Sequence, residues 1–519
     1  MKQITEHSVM DFYLDLIKND QVKFLINREK KKKELIKLIK QLRETEEIND
    51  KILLAKDLWK VLFEAAMTFI DPDKQGYDEL FRYFDEFVHF EELIFASDAF
   101  YRDHTLHSLW VYFLGEYIFR SPEFAPLFKD FDQDIQRSAR VNSFYKSLNM
   151  PSIFGDFCQL LDNVSEILKH DDSIRCIAAL AHDLGYPLKR IHKINRSIGK
   201  ILPFFSISKF GEFDFQFENI QQFYIENLLE LLSYDIDFEV ELANLTFEES
   251  QLIREQAGQF FHALSAISNS QDIDEGLLQE IKSYLTNISE KEIHVWRKIF
   301  EGSCRLTKNM SRLLRFANDF ENYAHGIMSS YLLMKILNAF SNIQLAYSDL
   351  TLLDTKKVDL AAIKSKLRIL IAMADHTSPG FLMREFSDFS ALLVLIDEIE
   401  EFSRISRANQ YRQFINEFCK TAVGMENGYL CIDFVFDDQN IDDLNPEISF
   451  RDKCKKFLKI FDIPNLDPDL KIRFRCIGML PQDPNTYQIE IARQFVKITI
   501  NDEERDISAY LDTKEVFER

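Results

Sequence analysis

The doublet His182-Asp183 directly follows the apolar run IAALA, and four more polar residues interrupt similarly apolar surroundings. His107 opens SLWVYFLGEYIF, His325 opens GIMSSYLLMKIL, His376 ends ILIAMAD, and Asp397 breaks ALLVLI before EIEEFSR. Burying an imidazole or a carboxylate in such a run is costly unless a metal ion or a charged partner compensates. Taken singly, each has another account: a helix N-cap, a capped core histidine, or a carboxylate paired to Arg404 or Arg407. Taken together, the placements point to one metal centre assembled from separated segments.

In their order along the chain, His107, His182, Asp183 and Asp397 resemble the ligand set of the HD superfamily of metal-dependent phosphohydrolases, where a His, a His-Asp doublet and a later Asp bind one metal. RDHTLHSLWV is similar to that family's first-ligand helix, AALAHDLGYP to its doublet, and LLVLIDEIEEFSR to the helix bearing its closing Asp. The resemblance spans residues from about 100 to 405, interrupted by a long insertion. Family members with two metals carry further histidines between the doublet and the last Asp, one in an AHG context and one followed by Thr. AHGIMSS and ADHTSPG fit these places. The resemblance thus makes His325 and His376 candidate ligands of a second ion, bridged by Asp183, because a carboxylate offers two oxygens and an imidazole one free nitrogen. The alternative is a single ion, with His325 and His376 contacting substrate phosphate. The LGYP letters are similar to those of the HD-GYP cyclic dinucleotide phosphodiesterases, where they belong to another segment. TLH before SL is similar to deoxynucleotide triphosphohydrolases, whose other signature segments are not evident.

Imidazole and carboxylate without thiolate suit Mn, Fe, Co, Ni, Zn or Mg and do not separate them. One divalent ion, or two, would acidify a bound water and polarise a phosphoryl oxygen. The expected activity is hydrolysis of a phosphorylated small molecule, a nucleotide or cyclic nucleotide, with Asp183, His104, His325 and His376 as catalytic candidates. His104 and Asp103 lie one turn before His107, placed for a supporting or general-acid role. Arg102, Lys189, Arg190 and Lys193 are candidate phosphate contacts. Two other readings stand beside this one: a nucleotide-binding signalling module with a weak or inactive site, and a helical scaffold whose His and Asp residues satisfy one another.

The elements that must position these residues read as helices. The expected fold is mainly α: an HD-type helical bundle with a large helical insertion, N-terminal helices and a small C-terminal α+β domain. Residues 1–95 form the N-terminal helical region, including the Lys-rich amphipathic stretch 28–47, in which Leu35, Ile36, Ile39 and Leu42 recur at helical spacing. Residues 96–415 form the phosphohydrolase domain; its insertion, about 187–310, is Phe-rich and acidic in parts and a candidate lid. After about 425 the period changes: YLCIDFVFDD, KIRFRCIGML and TYQIEIARQFVKITIND alternate as strands, and SFRDKCKKFLKIF reads as a helix.

Composition bounds the rest. The chain has 519 residues, 46% hydrophobic and 29% charged, with 14 Gly and 12 Pro, which argues for globular helical structure without long linkers. A formal charge of -22 opposes extended nucleic acid. The seven cysteines form no CxxC pair. No basic start is followed by an apolar run, and no stretch reaches about 18 apolar residues. The expectation is a cytoplasmic protein with no membrane partner, with homo-oligomer formation left open.

Overall fold

The computed structural model describes residues 2–72, 77–94, 100–148, 162, 166–207, 219–238, 245–269, 271–301, 304–337, 360–406, 419–437 and 445–512. The chain is mainly helical, with a small sheet assembled largely from its C-terminal part. Its N-terminal region carries α1 (Glu6–Lys18), α2 (Glu29–Glu44), α3 (Ile48–Ile70) and α4 (Tyr77–Ile94). In the Lys-rich α2, Leu35, Ile39 and Leu42 are buried, so most of its lysines form a solvated face.

The bundle that holds the histidines is built on α5 (His104–Arg120), α7 (Asp171–Ala181), α14 (His325–Ile336), α15 (Leu360–Asp375) and α16 (Phe389–Ile399). Helix α7 is central, packing against α3, α5, α15 and α16, and every residue from Asp172 to Ala181 is buried. A helix apolar nearly all round has no face to give to water, which is why these sequences end in the interior. Among the described residues, no helix is long and apolar enough to cross a membrane.

The expected insertion divides into two parts. Helices α8 (Tyr186–Ile201) and α9 (Asn219–Leu232) join the main bundle, α9 placing Leu228, Leu231 and Leu232 in its core. By contrast, α10 (Phe247–Ser268), α11 (Glu275–Thr286) and α12 (Glu290–Glu301) build a separate apolar cluster around Phe260 and Trp296. The earlier helix α6 (Gln133–Ser147) completes it with Phe144 and Tyr145. Helix α13 (Met310–Glu321) leads back to the bundle.

The main sheet has seven strands, β1 (Lys2–Ile4), β6 (Cys419–Glu426), β7 (Tyr429–Phe436), β8 (Ile472–Gly478), β9 (Thr486–Ala492), β10 (Phe495–Ile500) and β11 (Glu503–Arg505), in that order. The pairing of β7 with β8 is parallel and spanned by α17 (Pro446–Ile460); the others are antiparallel. The three alternating stretches and the helix between them appear as read from the sequence, but the first residues do not belong only to helices. Strand β1 joins the sheet, pairing Lys2 with Val423 and Ile4 with Thr421. Ile4, Phe434, Phe457 and Phe474 lie in the same apolar cluster as the bundle, so the sheet extends the main core. Two short ribbons complete the described strands: β2 (Phe100–Arg102) with β5 (Arg404–Ser406), and β3 (Tyr234–Phe238) with β4 (Cys304–Lys308).

Candidate metal centre

The start of α5 is set by Asp103, whose side chain accepts from the Leu106 backbone N–H at 2.9 Å. The helix therefore begins at His104, one turn before His107, and Asp103 acts as its N-cap. The β2–β5 ribbon ties the segment before α5 to the segment after α16, bringing Arg102 opposite Arg404. That juxtaposition explains how residues 290 positions apart meet: His107 Nε2 lies 2.8 Å from Asp397 Oδ1.

His182 and Asp183 follow the last turn of α7, where a helix leaves carbonyls without internal partners. Each is satisfied here. Ala179 O accepts from His182 Nδ1 at 2.7 Å, Leu180 O from Trp59 Nε1 at 2.7 Å, and Ala181 O from Leu184 N at 3.2 Å. His182 O accepts from Ser329 Oγ at 2.6 Å, Asp183 O from Tyr186 N at 2.9 Å, and Leu184 O from Tyr83 Oη at 2.5 Å. Helices α3, α4, α8 and α14 thus clamp the doublet through its backbone.

Two glycines let the remaining histidines approach. A Cβ on Gly185 would meet His325 O at 2.5 Å and Ser329 N at 2.6 Å. A Cβ on Gly326 would collide with Met373 O and come within 2.8 Å of His376 Nδ1. With these side chains absent, the His325 and His376 rings stand 5.0 Å apart, and those of His376 and His182 4.8 Å apart.

Hydrogen bonding fixes which ring nitrogens carry protons, because carbonyls and carboxylates only accept. His107 Nδ1 donates to Glu400 Oε2 at 2.5 Å, His182 Nδ1 to Ala179 O at 2.7 Å, and His376 Nδ1 to Met373 O at 2.6 Å. In the neutral rings each Nε2 is then a lone pair. The lone pairs of His107 and His182 face each other at 3.3 Å, with Asp183 Oδ2 3.7 and 3.3 Å away. His376 Nε2 is buried without a hydrogen-bond partner, 3.6 Å from Asp183 Oδ1. Lone pairs and carboxylate oxygens cannot satisfy one another; a cation or added protons must. Among the described residues, two groups have ligand atoms mutually within 4.8 Å: His107, His182 and Asp397, and His182, Asp183 and His376. The donor set fits a divalent ion.

The ionisation directions describe the same excess of acceptors. Burial opposes a charge on His182, yet Asp183 and then Asp397 draw its pKa up to about 9. Burial likewise works against the Asp183 anion, but His182, with His325 and His376 beside it, holds it well below the usual carboxylate range. Asp397 is held low against burial by His107 and Arg102. His325 goes the other way: burial pushes it down to about 4, so it stays neutral.

The remaining candidates divide. His325 Nε2 lies 3.1 Å from Asp183 Oδ1, and its Nδ1 is 3.5 Å from Lys189 Nζ. His104 donates through Nδ1 to Glu91 Oε2 at 2.6 Å, and its Nε2 is 4.0 Å from Asp183. Arg102 donates to Asp397 Oδ1 at 2.9 Å and to Glu400 O at 3.1 Å. Asp397 therefore takes Arg102 as its guanidinium partner. Lys189 faces the centre, and Arg190 lies over the Tyr186 ring at 4.5 Å. The Lys193 side chain lies outside the described residues. Glu400 and Glu91, which orient His107 and His104, escaped the sequence reading. The signal for Glu400 was its position three residues after Asp397 at the end of an apolar helix.

No family model, curated protein or solved structure matches the chain.

Proposed function

We propose that this chain is a divalent-metal phosphohydrolase of the HD kind, acting on a phosphorylated small molecule of the nucleotide or cyclic nucleotide class. The observation that carries this reading is the convergence of three imidazole Nε2 lone pairs on Asp183 and Asp397 in a buried site. His107, His182, Asp183 and Asp397 would hold one ion, and His376 with the second oxygen of Asp183 offers a place for another. A bound divalent ion supplies an acidified water and a polarised phosphoryl oxygen. Glu400 and the Ala179 and Met373 carbonyls keep the rings in the tautomers that present Nε2. Lys189, beside His325, brings a positive charge to the same side of the centre for a substrate phosphate. His325, neutral and in contact with Asp183, can exchange a proton at the reacting phosphate.

The test is the metal content of the purified chain beside its Asp183→Ala variant. Phosphate or nucleoside release from a nucleotide panel is measured with and without added Mn²⁺ on the same preparations. The expected result is bound metal and Mn-dependent turnover in the unaltered chain, both lost in the variant. Metal absent from both, with no turnover of any nucleotide, would overturn the reading.

A further inference from the structure

We propose that Ser329, on α14, is a positioning residue for the candidate metal centre: its hydroxyl sets the spacing between the His182-Asp183 turn and His325. This inference rests on the metal-centre reading above. A serine inside a helix ordinarily turns its hydroxyl back to the carbonyl four residues earlier. Ser329 does so, with Oγ 2.8 Å from His325 O, but a carbonyl outside the helix lies closer, His182 O at 2.6 Å. The same oxygen accepts from the Gly185 N–H at 2.7 Å. A hydroxyl has one proton and two lone pairs, so this one is engaged with three backbone groups: both ends of the doublet turn and the first residue of α14. Ser329 is fully buried.

Packing presses the same two segments together. A Cβ on Gly185 would meet Ser329 N and the Met328 Cβ, each at 2.6 Å, so the turn rests directly on α14. His182 and Asp183 supply candidate ligand atoms from that turn, and His325, one helical turn before Ser329, brings its Nε2 within 3.1 Å of Asp183 Oδ1. The 3.3 Å approach of the His107 and His182 Nε2 atoms likewise depends on where the turn sits. Removing the hydroxyl takes one buried bond from His182 O and another from the Gly185 N–H, and a backbone group deprived in this way moves toward a new partner. Such a movement shifts His182 and Asp183 against His107 and Asp397 on one side and against His325 on the other.

The next residue provides the control. Ser330 is equally buried, and its hydroxyl shows the same pattern, facing Gly326 O four residues earlier at 3.2 Å and Leu370 O at 2.8 Å. Leu370, however, belongs to α15 and not to the doublet turn. The experiment is a titration of the metal-stripped full chain with Mn²⁺, together with thermal melting of each variant. Ser329→Ala and Ser330→Ala should both melt lower, since each removes a buried hydrogen bond. Ser329→Ala is expected to weaken Mn²⁺ binding about tenfold, the lower end of the usual effect of outer partners of metal ligands, whereas Ser330→Ala should leave it unchanged. A purely structural serine would lower the melting temperature and leave the Mn²⁺ affinity of the folded protein as it was. That result, or a loss of affinity no larger than that of Ser330→Ala, overturns the proposal. Should Ser329→Ala fail to fold, Ser329→Cys beside Ser330→Cys reads the same quantity with the same outcomes, because a thiol keeps a weak donor and a weak acceptor in place. A chain that binds no Mn²⁺ before any substitution overturns the metal-centre reading itself, and with it this inference.

Discussion

Helices α5 and α7 meet through polar side chains at two places, both buried. Toward the end of α5, Glu116 accepts from the Nε of Arg175 and of Arg120, each at 2.5 Å. Asp172 lies 2.8 Å from Nη2 of both arginines. Two anions meet two cations, and the Asp172 carboxyl, against the effect of burial, is held below its ordinary range by Arg175 and Arg120. At the other end the same helices bring together His107, His182, Asp183 and Asp397, with Arg102 as the guanidinium. There the lone pairs outnumber the protons. Burial and polar density are common to both clusters; what separates them is whether the cluster satisfies itself.

That contrast can be broken most sharply by substitution. Asp183→Asn keeps the shape of the side chain and removes its charge. Metal-dependent turnover should fall by about a thousandfold or more, since a metal contributes several kcal/mol to the transition state. In the self-satisfied cluster, Arg175→Met should cost stability instead, about 3–5 kcal/mol by denaturant unfolding, because the buried Glu116 and Asp172 carboxylates are left to share Arg120 alone among the cluster's cations. Its folded fraction should bind Mn²⁺ as before. Loss of metal binding in Arg175→Met, with stability intact, would erase the distinction between the two clusters. A smaller effect is expected one layer out from the proposed metal centre: Glu400→Gln leaves His107 in place but weakens its tether, and Mn²⁺ affinity should drop about 10–100-fold in a calorimetric titration.

The two clusters also differ in how far they could be read before folding. His182-Asp183 after IAALA, and Asp397 inside ALLVLI, are legible because a polar residue at the end of an apolar run is locally conspicuous. Glu116 and Arg175 lie in the same apolar helices and drew no attention, since each carries an ordinary charge whose partner is 59 residues away. The alternating strands β7 to β10 and helix α17 follow from periodicity. The three-residue β1 does not, because its pairing with β6 is settled by contacts more than 400 positions distant. The role of α6 in the Trp296 cluster, and that of Glu91 behind His104, are likewise tertiary facts without a local signature. Asp103 illustrates the converse: its place before an apolar helix suits either acid chemistry or capping, and the geometry shows the cap.

The smallest expected effect is a pH dependence confined to the unsatisfied cluster. In the metal-free chain, Asp183 and Asp397 draw the His182 pKa, against the effect of burial, from its ordinary 6.5 up to about 9. A folded-state pKa raised in this way gives stability that is complete below about pH 6.5 and is lost as pH rises through 9. A divalent ion needs the neutral ring, so it must displace that proton anywhere below about 9. Metal-free and metal-loaded chains should therefore diverge: the first loses stability between pH 6.5 and 9, while Mn²⁺ affinity rises by about tenfold per unit across the same interval if one proton is released. The measurement is the melting-temperature difference between Mn-loaded and chelator-treated protein across that range. Arg175→Met leaves His182 and its two carboxylates in place, so it should shift both curves without changing the widening gap between them. A gap constant with pH would mean that His182 carries no proton for the metal to displace, and the lone pairs at 3.3 Å would then need a different cation.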